Sequence, residues 1–180
     1  MAGDIEDVEI VGKCLSGEVE SFRFLVDKYQ NAFIRTAFHF THNWDDARDA
    51  AQEAFTKAYQ SLRTFDKNRR FSTWLYQILI NVCKDRLKIF FKRQQLLRLH
   101  PAEHSNMSNT LERISEQELL HRCLGKLSFK RRRIVILIDI EGFSSVETAE
   151  ILNCSDSTVR VTLMKARQQL RENYLKLSEV

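Results

Sequence analysis

Apolar residues recur at three- and four-residue spacing along most of the chain, the period of helices that each bury one stripe. From Glu18 to about Phe40 the stripe runs through Phe22, Leu25, Val26, Tyr29, Phe33, Ala37 and Phe40. It resumes from Asp45 through Leu62, with Ala47, Ala51, Ala54, Phe55, Ala58 and Leu62 on one face. Asn43 is placed to cap that second helix. Residues 5–15 predict a shorter helix ending at Ser16-Gly17, and another begins near Ser72 and reaches about Arg93. Residues 63–70, containing TFDKNRR, are polar and predict a loop.

The same period returns in Leu111–Leu124, Ser128–Glu141, Val146–Leu152 and from Ser157 to about Leu175. Short turns at Gly125, Gly142 and Asn153 separate these helices. The run IVILIDI has strand propensity as well, but its place between KRRR and a helical tail favours a buried helix. Between the two series lies HPAEHSNMSNT, which holds the only proline and little apolar content. The expected fold is therefore all-α: two small helical domains, residues 1–98 and 111–180, joined by a flexible linker over 99–110.

Composition narrows the class. Hydrophobic residues make up 43% of the 180, enough for real cores, and five glycines leave few turns for a sheet-rich fold. The net charge of +4 permits an anionic partner without requiring one. The N-terminus lacks the basic and apolar regions of a signal peptide, and no apolar run is long enough to span a membrane, so a cytoplasmic protein is expected. Cys14, Cys83, Cys123 and Cys154 are scattered among apolar residues and read as core thiols. No glycine-rich phosphate loop, HExxH or nucleophile elbow is present, so no enzyme is predicted. His39 with His42, and His100 with His104, are pairs too small for a metal site; no metal and no cofactor are expected.

Two stretches suggest nucleic acid. In GFSSVETAEILNCSDSTVRVTLMKARQQLRE, Ser144 or Ser145 can cap a short helix, and Ser155, Asp156 or Ser157 the next. Small Ala149 and apolar Val159 suit the crossing of a helix-turn-helix. The second helix then turns Ser157, Thr158, Arg160, Thr162, Lys165 and Arg167 outward, with Arg131, Arg132 and Arg133 adding positive charge nearby. A plain helical hairpin with a solvated basic face has the same pattern. The other stretch, NRRFSTWLYQILINVCKDRLKIFFKR, sets aromatics beside cations, with six basic residues and one acidic one from Lys84 to Arg98. That mixture suits either a core helix with a solubilising face or a surface for single-stranded nucleic acid.

DDARDAAQEAFTKAYQSLRTFD with FSTWLYQILINVCKDRL resembles region two of bacterial sigma factors of the extracytoplasmic-function (ECF) group. LGKLSFKRRRIVILIDIEGFSSVETAEILNCSDSTVRVTLMKARQQLRE resembles their region four, and the two follow in the expected order over nearly the whole chain. The resemblance implies that Asp49, Gln52, Glu53 and Phe55 contact core RNA polymerase. It implies that the loop Phe65, Asp66, Lys67, Asn68, Arg69, Arg70 and Phe71, with Asn81 nearby, receives a flipped base of the minus-ten element. Lys84, Arg86 and Lys88 would hold phosphates at the melted junction. Arg131, Ser157, Thr158, Arg160, Lys165 and Arg167 would read the minus-thirty-five element in duplex form. It also implies control by an anti-sigma factor, membrane-associated in many relatives, which would hold the chain near the inner membrane. Many relatives carry a proline where this chain has Leu127-Ser128-Phe129, and here Ser128 is available as the cap. Two other readings compete: a helix-turn-helix regulator that binds duplex DNA without polymerase, and a helical adaptor that needs neither.

Overall fold

The computed structural model describes residues 2–98 and 116–178; the expected linker lies outside them. The described residues form helices and turns, with no strand. In order they are α1 Ala2–Leu15, α2 Phe22–Thr41, α3 Trp44–Gln60, α4 Phe71–Arg98, α5 Glu116–Gly125, α6 Phe129–Val135, α7 Ser145–Leu152 and α8 Asp156–Ser178. Short 3₁₀ turns at Val19–Ser21 and Leu62–Thr64 trim the predicted second and third helices, and α4 runs past its predicted end. IVILIDI is helical: α6 continues through a π-helical turn over Ile136–Ile140.

Local signals set these boundaries. Asn43 Oδ1 accepts from the amides of Asp45 and Asp46 at 2.8 and 3.0 Å, capping α3, and both aspartates sit at the positive end of its dipole. Ser144 and Glu147 close a reciprocal capping box on α7. Asn153, at φ 50, ends α7 in the left-handed conformation that asparagine tolerates, which makes the tight turn into α8. Ser155 accepts from the Thr158 amide at 3.2 Å, so it is the serine that caps α8. Ser128 does occupy the N-cap of α6, but its side chain makes no capping bond.

The N-terminal unit packs α2, α3 and α4 around Leu25, Phe33, Phe40, Phe71, Leu75 and Leu79, all fully buried or nearly so. Alanines 47, 50, 51, 54 and 58 let α3 approach its neighbours closely. Fully buried Asp7 ties α1 to this unit by accepting from Lys28 and Tyr29, each at 2.5 Å. In the C-terminal unit α6 and α7 pack on α8, with Ile134, Ala149 and Val159 at their crossing. Leu124, Leu127, Val135 and Ala166 form a second small cluster.

The two units do not stand apart. Ile136, Leu137 and Ile151 of the C-terminal unit belong to the N-terminal core. At the same joint Glu141 accepts from Thr36 Oγ1 at 2.5 Å and from Tyr76 Oη at 2.7 Å, and Phe143 meets the Tyr76 ring edge-on at 4.8 Å. Arg70 pairs with Glu147 across the interface, and Phe129 packs on Phe40. Removing the α3 cap is expected to cost about 1 kcal/mol: Asn43→Ala should lower urea unfolding stability by that amount, and Asn43→Asp should retain most of it.

Candidate nucleic-acid interface

Helix α8 supplies one half of the candidate site. Its stripe Val159, Leu163, Ala166 and Leu170 faces the core. On the opposite side, Ser157, Thr158, Val161, Thr162 and Lys165 join Ser128, Lys130 and Arg131 in an open groove of about 760 Å³. The Ser155, Ser157 and Thr158 hydroxyls form a hydrogen-bonded cluster over the first turn, at 3.0 and 2.8 Å. The positive end of the α8 dipole is suited to an oxygen anion, and the groove's cations to a phosphate chain.

The predicted basic residues are unequally placed. Arg131 reaches the groove, where it donates to Gln169 at 2.6 Å. Arg132 turns inward and donates to the carbonyls of Gly125 and Leu127 at 2.8 and 3.3 Å, so it stitches the end of α5 to α6. Arg133 lies half-buried over the Phe129 ring. Neither adds charge to the groove. Arg160 pairs with Asp156 at 2.6 Å and Arg167 with Asp139 at 2.5 Å; both leave their face of α8 accessible, but outside the groove's lining. The Asp139 carboxylate raises the pKa of Arg167 further, so that guanidinium stays charged. Val161 is the residue that sequence reasoning missed. It is half-exposed in the groove, one turn from both Thr158 and Lys165, and its apolar surface suits a thymine methyl. That spacing was the available signal.

The second half lies on α4 and the loop before it. Phe65, Phe71 and Trp74 pack as a trio with ring centroids 5.3 to 5.5 Å apart, and all three are buried. Phe65 and Phe71 therefore anchor the loop and present no ring to a base, and Trp74 is core as well. Between the anchors, Asp66 accepts from the Asn68 amide and side chain at 2.9 and 3.0 Å, which shapes a turn that exposes Lys67, Asn68 and Arg70 and leaves Arg69 half-buried. Asn81, Lys84 and Lys88 are exposed at helical spacing and form one stripe along α4. Arg86 points elsewhere, to Glu53 at 2.9 Å and Asp49 at 3.9 Å on α3.

On α3, Asp49 and Gln52 are exposed and Glu53 half-buried. Phe55 is buried, stacked on Phe33 at 4.9 Å, so it shapes this face from beneath. Hydrogen bonds from Lys57, then from Arg86, hold the Glu53 carboxyl below the usual carboxylate range against the effect of burial. Across the described residues no group of three or more histidines, cysteines or acids has metal-site geometry, and no helix is long and apolar enough to cross a membrane. His100 and His104 lie outside them.

Residues 25–89 match the family model for Sigma-70 region 2, and residues 117–170 that for Sigma-70, region 4. The chain is 30% identical over 177 residues to the RNA polymerase sigma-H factor of Pseudomonas aeruginosa, covering 92% of each. It is 30% identical over 173 residues to the ECF RNA polymerase sigma factor SigW of Bacillus subtilis, covering 87% of this chain and 90% of SigW. Among solved structures, CnrH in complex with the cytosolic domain of CnrY is similar, with TM-score 0.68 and 27% identity over 91% of this chain and 93% of that one.

Arg86→Ala should raise the pKa of Glu53 in an NMR titration while leaving it below the ordinary value, because Lys57 remains. An unchanged Glu53 titration would show that the Arg86 contact is not populated in solution.

Proposed function

The chain belongs to the ECF group of the sigma-70 family, and from that premise we propose that it binds core RNA polymerase and directs initiation at specific promoters. The observation that carries this reading is the pairing of two nucleic-acid faces on one chain: the α8 groove and the loop–α4 stripe. Residues 1–98 would serve the polymerase and the minus-ten element, residues 111–180 the minus-thirty-five element, and residues 99–110 would link them.

In this account Asp49, Gln52 and the exposed edge of Glu53 meet polymerase, and buried Phe55 fixes their helix. Asp66–Arg70 receive an unstacked base, with Asn81, Lys84 and Lys88 along the opened strand. Unstacking a base costs a few kcal/mol, which captured bases and phosphate contacts offset. In the α8 groove Ser157, Thr158 and Val161 approach base edges, while Arg131 and Lys165 hold phosphates. Arg160 and Arg167 follow the adjacent backbone. Elements about 25 base pairs apart lie roughly 85 Å apart in B-DNA at about 3.4 Å per step. A unit of about 100 residues has a radius of gyration near 13 Å. Two docked units cannot reach both elements, so the chain must open on polymerase.

An anti-sigma factor that controls this opening is part of the proposal. Its support is the cytosolic domain of CnrY seated on the similarly folded CnrH. A membrane tether through such a partner belongs to the same proposal.

Purified chain added to core polymerase should give run-off transcripts from a subset of a promoter library. Complex formation without any transcript would overturn the assignment, and tight specific duplex binding by the chain alone would favour a conventional regulator. Replacing Asn68 and Arg69 together by alanine should lower initiation on duplex templates about tenfold, a loss of ~1.4 kcal/mol. A template pre-melted at the minus-ten element should restore much of it. Val161→Ser should change the preferred upstream base, whereas Lys165→Ala should weaken all promoters alike and reduce the salt dependence.

A further inference from the structure

Three imidazoles meet where the units dock. His39 and His42 lie about one turn apart at the end of α2, and His121 comes from α5. The His121 ring centroid is 5.1 Å from that of His39 and 5.9 Å from that of His42. Phe38, itself stacked on Trp44 at 4.0 Å, meets His121 edge-on at 4.8 Å. The Nδ1 atoms of His39 and His121 are buried, and no hydrogen-bond partner among the described residues reaches either.

The charged groups facing the cluster come from several elements. Arg132 on α6 extends Nη1 to 3.5 Å from the Phe40 carbonyl, beside His42. Glu118 on α5 favours the charged form of His42 and His121, but it is also held by Arg122 at 2.9 Å. Asp46 of α3 lines the same cavity of about 580 Å³ as His42 and Arg132, and Glu53 and Arg86 lie along it already paired with each other.

We propose that His39, His42 and His121 form an acid-operated latch: their neutral rings let α5 and α6 dock on the end of α2, and their protonation drives the two units apart. The proposal rests on the promoter-spanning function above, because opening matters to a chain that must reach two distant elements.

The protonation preferences have the required sign. Burial first, then His121 and His42, push His39 down to about 4. Burial, Arg132 and His121 push His42 down against Glu118, and burial pushes His121 down, also against Glu118. Opening removes the cross-interface contributions and returns these groups toward the ordinary value of about 6.5. For His39 the open form then binds more protons than the docked one between about 4 and 6.5, and His42 and His121 act in the same direction. Docking is at full strength above that window and weakens as pH falls through it. Each pKa unit recovered on opening shifts the open-to-docked ratio about tenfold.

Small-angle X-ray scattering of the full chain between pH 8 and 4.5 tests this, with far-UV circular dichroism at each pH. The open-to-docked ratio should rise at least about tenfold between pH 7.5 and 5 with helix content unchanged. His39→Gln with His121→Gln should leave at most the His42 share of the response, and the more exposed His42→Gln, which should fold readily, should narrow the native response. Equal dimensions at both pH values, an unaltered profile in the variants, or expansion accompanied by helix loss would each overturn the latch. The measurement uses neither polymerase nor DNA. Failed transcription would sink the functional reading and leave the latch standing, while absent expansion would do the reverse.

Discussion

One short segment constrains the whole molecule: Ile134, Val135, Ile136 and Leu137 are consecutive, helical and all buried. Successive helix residues point about 100° apart, so four in a row face every direction. Such a segment must be covered all round, and neither unit covers it alone. Ile134 packs toward α7 and α8, Val135 toward α5 and α8, and Ile136 and Leu137 enter the core built by α2, α3 and α4. Fully burying a side chain of this size is worth about 1.5–3 kcal/mol, so leaving two of them uncovered is a substantial cost. The docked arrangement follows from that need. The bonds from Thr36 and Tyr76 to Glu141 then satisfy the polar groups that docking buries.

The same constraint sorts the charged residues. Those near the joint are used for structure: Arg132 holds helix-end carbonyls and Arg70 meets Glu147, while on α3 and α4 Arg86 holds the acids. Residues farther from it, on the groove side of α8 and along Asn81, Lys84 and Lys88, face solvent and can meet nucleic acid. Basic composition is thus a poor guide to which cations bind. The Arg70–Glu147 pair has a second consequence, because it ties the candidate base-capture loop to the helix-turn-helix in the docked form.

Most of the helices were legible because their signals are local. The stripe from Phe22 to Phe40, the Asn43 cap and a serine cap at Ser144 or Ser145 each act within a few residues. The helix-turn-helix was legible for the same reason, through Ala149, Asn153 and Val159. IVILIDI was ambiguous because burial on all faces erases periodicity, and the cause lies in a unit far away in sequence. The resemblance offered Phe65 and Phe71 to a flipped base, but Phe65–Trp74 contact closes the loop's ends into the core. Arg132 and Arg133 read as surface charge because their acceptors and ring partner depend on how α6 turns. The histidine cluster was invisible for a related reason: His121 reaches His39 and His42 only when the units dock.

The central claim is that the docked chain is a closed form and that promoter recognition needs it open. Arg70 and Glu147 face each other across the joint and remain accessible in part, with side-chain exposures of 49% and 18%. Cysteines at these two positions, with Cys14 and Cys154 replaced by serine, allow the units to be joined by a cleavable thiol cross-linker. The most direct measurement is open-complex formation with core polymerase before linking, after linking, and after cleavage of the linker. The account predicts that linking abolishes open complexes and cleavage restores them to the unlinked level. A linked chain that opens promoters as well as the cleaved one would contradict it.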